Sequence, residues 1–100
     1  MNPIMEMGQL NRQGMRACQD GDLKNAEFLL RQALMRSRAC TSPLPGAKVR
    51  HNLALILIMQ GRTDEARSLL AQALDTVTQT GLTKTRFHER IRSNLEGLAA

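Results

Sequence analysis

Four side chains in this sequence stand out for their capacity to ligate a metal or to act as nucleophile or base: Cys18, Cys40, His51 and His88. A zinc site needs such ligands at short, regular spacings. These four stand at irregular intervals with no CxxC pair, so no metal site is expected. Catalysis needs a nucleophile or an acid–base pair held in a defined pocket. The two histidines are isolated, no Ser or Cys lies in a nucleophile motif, and no Gly-rich phosphate loop follows a strand. The chain therefore reads as noncatalytic and without a cofactor. His51 titrates near neutrality and has a hydrogen bond or a pH response to offer, although a plain surface or semi-buried histidine accounts for it as well. Both cysteines fit small core residues or free thiols in a reducing compartment better than a disulfide framework.

Composition narrows the elements that hold these residues. In 100 residues, 42% are apolar but only 2% aromatic, with no Trp or Tyr, so one core must be filled by Leu, Ala, Met and Ile, which favours helices. No apolar run approaches the length of a membrane span, and the first residues lack the layout of a signal peptide, so a cytoplasmic protein is expected. Fourteen Lys and Arg against nine Asp and Glu give a net charge of +5, a balance that favours acidic partners without naming one. The basic residues fall into two groups, Arg31, Arg36, Arg38, Lys48 and Arg50, then Lys84, Arg86, Arg90 and Arg92. A solvated face is the plainer reading. Nucleic-acid binding lacks a recognition motif and the aromatic side chains on which bases stack.

Comparing the chain with itself exposes its organisation. Ala26-Glu-Phe-Leu-Leu-Arg-Gln-Ala-Leu34 recurs as Ala66-Arg-Ser-Leu-Leu-Ala-Gln-Ala-Leu74, an offset of 40 residues, and Gly21 and Gly61 precede the two copies equally. The shared residues are chiefly the alanines and leucines of one helical face, with other positions free to vary. That is the mark of two helices in equivalent surroundings. Each copy predicts an antiparallel helix pair, turned at Gly21-Asp22 and Gly61-Arg62, where glycine adopts a left-handed conformation cheaply. Asp22 is expected to cap the next helix in the first copy and Thr63 in the second.

The first helices of the pairs differ. Between about Met5 and Gln19 the stripe Met7, Leu10, Gly14, Ala17, Cys18 is one-sided. Leu53 to Met59 is apolar throughout, which predicts a central helix covered all round. Repeat one spans about 7–39 and repeat two about 47–79, joined by a linker over 40–46 that contains two prolines and a glycine. A fifth helix over about 83–98, opened by Thr83, carries Phe87, Ile91, Leu95 and Leu98 at helical spacing. Its charged outer side suits a cap.

The stretch Asn52-Leu-Ala-Leu-Ile-Leu-Ile-Met-Gln-Gly-Arg-Thr-Asp-Glu-Ala-Arg-Ser-Leu-Leu-Ala-Gln-Ala-Leu74 resembles tetratricopeptide repeats, in the longer-repeat variety of kinesin light chains and bacterial proteins. Gly14 and Ala54 match the family's small residue of the first helix, while Ala17 and Leu57 stand where an aromatic is frequent. The resemblance implies an all-α fold, a five-helix right-handed α-solenoid of two helical hairpins and a capping helix. It also implies a concave groove lined by the first helices. The matching groove residues are Asn11, Met15, Cys18 and Gln19, then Lys48, His51, Leu55, Ile58 and Met59. The Lys and Asn clamp by which chaperone-binding members hold a terminal carboxylate is absent, since Asn11, His51, Met15 and Leu55 occupy its positions.

An apolar, Met-containing groove suits a helix or apolar peptide. Met15, Leu55, Ile58 and Met59 would supply buried area, and Asn11, Lys48, His51 and Asn52 orientation. The function expected is protein–protein interaction without catalysis. Two alternatives stand beside it: a structural scaffold that homo-oligomerises through the same surface, because two and a half repeats are few for a solenoid, and a basic adaptor for nucleic acid or another polyanion.

Overall fold

The computed structural model describes residues 2–99. Five helices follow one another: α1 (Pro3–Gln19), α2 (Leu23–Ser37), α3 (Leu44–Met59), α4 (Thr63–Gln79) and α5 (Arg86–Ala99), with no strand among the described residues. Helix α1 packs on α2 and α3 on α4, the pairs meet through α2 and α3, and α5 packs on α4. The fold is an all-α helical repeat.

Helix ends follow from local chemistry. Asn2 caps α1, its side chain accepting from the Ile4 N–H at 2.8 Å ahead of Pro3, whose missing N–H has no helical partner anyway. Gly21, Gly61 and Gly81 have φ of 82°, 78° and 78°. At each, the next residue donates its N–H back into the finished helix, Asp22 to Ala17 O at 2.9 Å, Arg62 to Leu57 O at 2.8 Å and Leu82 to Val77 O at 3.1 Å. Only glycine adopts that backbone without strain. Asp22 accepts from the Asn25 N–H at 3.2 Å as its cap position requires.

Three local expectations are revised. Thr63 is the first residue of α4; Arg62 holds the cap position without a side-chain hydrogen bond, and Asp64 and Glu65 face the positive end of the helix. Thr85, not Thr83, opens α5, its hydroxyl accepting from the His88 N–H at 3.2 Å. Helix α3 begins at Leu44, so Pro45 and Gly46 lie in its first turn rather than in a linker. A side chain at Gly46 would meet Ser37 Oγ at 3.1 Å, so glycine there lets α3 start close against the end of α2.

The two copies have equivalent surroundings. Ala26 and Ala66, Leu30 and Leu70, and Ala33 and Ala73 are all 0% exposed, and Leu29 and Leu69 are half-buried against the same core. Helix α3 supplies the centre with Leu53, Ala54, Ile56 and Leu57. It is not covered all round, however: Leu55 and Ile58 are half-buried and Met59 is 60% exposed. The helices that flank α3 leave this stripe open.

Candidate interaction surface

Because each hairpin returns the chain to its starting side, α1 and α3 run parallel and side by side. Two contacts register them at a common offset of 41 residues. Asn52 Nδ2 donates to Asn11 Oδ1 at 3.0 Å, and the Cys18 thiol meets Met59 Sδ at 3.6 Å. Asn11, Met15, Cys18, Asn52, Leu55 and Ile58 are half-buried, and Gln19, Lys48 and Met59 are exposed. These positions therefore form a face whose middle is apolar and whose two amides are hydrogen-bonded to each other. A part-buried amide pair with its hydrogen bond made fixes the register of the two helices.

His51 departs from the expectation of a groove residue. It is 2% exposed, sealed by α5. Asn94 Nδ2 lies 3.0 Å from its Nε2, and the Phe87 ring meets it edge-on at a centroid distance of 5.6 Å. Burial, reinforced by the nearby Arg90 charge and opposed by the Asn52 amide, holds the imidazole below its ordinary value of 6.5. A neutral ring that accepts from Asn94 is a structural latch between α3 and α5 and offers nothing to a partner. The sequence carried a faint signal of this, in the Arg92-Ser-Asn-Leu95 echo of Arg50-His-Asn-Leu53, which aligns Asn94 with Asn52. His88 is also buried, and its Nδ1 has no hydrogen-bond partner among the described residues.

Three of the basic residues read from the sequence are taken up in ion pairs. Arg31 pairs with Glu27 at 2.8 Å and Glu65 at 3.2 Å, Arg36 with Glu6 at 3.0 Å, and Arg92 with Glu96 at 3.5 Å. Arg62 joins Glu27 and Glu65 at 2.8 and 2.7 Å, so four charged side chains tie α2 to α4. Although partial burial pushes the other way, hydrogen bonds from Arg31, Gln60 and Arg62, with the Arg31 charge, hold the Glu27 carboxyl below its ordinary 4.5. Sequence reading overlooked Arg12, which sits beside Lys48 at one end of the α1–α3 face. Its neighbour Asn11 was recognised only through its repeat position, and no pattern in one dimension marks Arg12.

Among the described residues no helix is long and apolar enough to cross a membrane, and no three metal-ligating side chains of the His, Cys, Asp and Glu types cluster. A family model described as tetratricopeptide repeat matches residues 17–80. No curated protein and no solved structure matches the chain. The matched span holds both glycine turns, both alanine-faced second helices and the whole of α3. The chain belongs to the tetratricopeptide repeat family, whose repeats generally mediate protein–protein interactions.

Proposed function

We propose that this chain is a noncatalytic interaction module that holds a helix or peptide of another protein along the face of α1 and α3. One observation carries the reading: Met15, Leu55 and Ile58 are half-buried and Met59 is 60% exposed on adjacent parallel helices, while Leu53, Ala54, Ile56 and Leu57 of α3 are sealed. An apolar stripe on a rigid scaffold rewards a partner that covers it. Flexible thioethers at Met15 and Met59 adapt to the shape of an incoming side chain. Asn11, Asn52, Cys18 and Lys48 border the stripe and set the polar rim. The free thiols Cys18 and Cys40 suit a reducing, cytoplasmic setting.

Leu55→Glu tests the reading. Leu55 is half-buried and lies outside the sealed core, so helical content should be retained while affinity for partners captured from the native host falls at least about tenfold. Unchanged capture by the folded variant would contradict the assignment. The same side chains would serve a second copy of the chain. Light scattering over a range of concentrations separates the cases, since a concentration-dependent dimer that Leu55→Glu dissociates would make the surface self-associating.

A further inference from the structure

The α1–α3 face ends in a cleft of about 440 Å³ between the N-terminal halves of the two helices. Met7 and Val49, 7% and 1% exposed, form its floor, and Ile4 and Met5 stand at its edge, 52% and 59% exposed. Arg12 and Lys48 line it from α1 and α3, both exposed, and neither takes part in an ion pair among the described residues. Among the described residues nothing acidic lines the cleft. Since α1 and α3 are parallel, the positive ends of both helix dipoles also open here.

These features select among occupants. A small ligand is normally enclosed over most of its surface, whereas this cleft is open to solvent. A polyanion would satisfy the cations but gain nothing from Met7, Val49, Ile4 and Met5, and no aromatic lines the cleft for bases to stack on. In a second copy of the chain Glu6, Glu27, Asp64, Glu65 and Glu96 are engaged in ion pairs, Asp22 caps α2 and Asp75 accepts from Gln79, which leaves only Asp20 and Glu89 of its nine acidic residues to answer the cations. What fits both the apolar floor and the unanswered charge is an apolar side chain carried next to carboxylates.

We propose that this cleft docks an acidic amphipathic segment of a partner protein, its apolar side chain entering between Met7 and Val49 and its flanking Asp or Glu residues meeting Arg12 and Lys48. This rests on the reading of the α1–α3 face as an interaction surface and adds the chemistry of its mouth. Lys48 lies seven residues before Leu55, about 10 Å along the helix at 1.5 Å per residue, so mouth and stripe can be perturbed separately.

The probes are a synthetic helical peptide with leucines flanked by Glu and its twin with Gln in place of each Glu, titrated against the full chain by fluorescence anisotropy. The Glu peptide should bind at least about tenfold tighter than the twin, and Arg12→Glu with Lys48→Glu should remove that advantage. The gap should narrow as salt is raised. Gly8→Leu places a side chain in the cleft where the nearest atom is the flexible tip of Arg12, at 3.3 Å from an added Cβ. It should block the Glu peptide with helical content intact. Equal binding of the twins, no binding of either, or undiminished binding after leucine is replaced by Ser in the peptide would each overturn the cleft. Loss on Leu55→Glu but not on the mouth variants would also overturn it and leave the apolar stripe standing. Loss confined to the mouth variants would support the cleft and count against the stripe.

Discussion

Replacing Gly14 by Ala measures how closely α1 and α2 approach. A methyl there would lie 2.9 Å from Leu30 Cγ, 3.0 Å from its Cδ2 and 3.3 Å from the Ala26 carbonyl oxygen. Leu30 is wholly buried, and Cγ is a branch point near the backbone that cannot swing clear as a side-chain tip can. Overpacking of this kind costs about 1–3 kcal/mol. Against it, alanine is favoured over glycine inside a helix by about 0.8–1 kcal/mol. The net expectation is a loss of about 0–2 kcal/mol, or a fall in Tm of up to about 8–16 °C at about 4–8 °C per kcal/mol for a domain of this size. Gly8→Ala, in the same helix, meets only the mobile tip of Arg12 at 3.3 Å and should be stabilised by the helix preference alone. The difference between the two variants isolates the clash, because the preference cancels. The equivalent position in the second copy, Ala54, carries its methyl at 0% exposure, so relaxation of the helix pair sets the lower end of the range. Urea titrations followed by far-UV circular dichroism give both values. If Gly14→Ala were as stabilising as Gly8→Ala, the close approach of α1 and α2 would be refuted.

Ala66→Leu should destabilise by about 1–3 kcal/mol through overpacking, because Ala66 is 0% exposed, whereas Ala71→Leu on the exposed side of α4 should be nearly neutral. Similar urea midpoints for the two would count against the repeat register. His51 binds its proton more weakly folded than unfolded, so stability should be level above about pH 6.5 and decline as pH falls below it. His51→Gln should flatten that decline, and a persistent slope would place the titration elsewhere. Glu27→Gln removes one of the two carboxylates shared by Arg31 and Arg62, so it should lower the thermal midpoint slightly in dilute buffer and by less in high salt. A salt-independent loss would show that the four-charge network contributes little.

What sequence alone determined here was whatever depends on neighbours a turn or two away. The left-handed turns at Gly21 and Gly61, the cap at Asp22 and the buried faces of α2 and α4 were legible because backbone conformation and helical periodicity are local, and because the 40-residue echo reports each helix pair twice. The start of α3 at Leu44 was masked by prolines that break a helix interior but suit its first turn. Which faces stay open was decided only by packing between residues far apart in the chain. His51 occupies a groove position in its repeat, yet α5, more than thirty residues on, covers it with Phe87 and Asn94. Arg31 and Arg36 read as members of a basic cluster until the fold brings Glu65 and Glu6 to them. Arg12 and Lys48 become one site only because α1 and α3 lie parallel, a relation set by helix packing and encoded in no spacing along the chain.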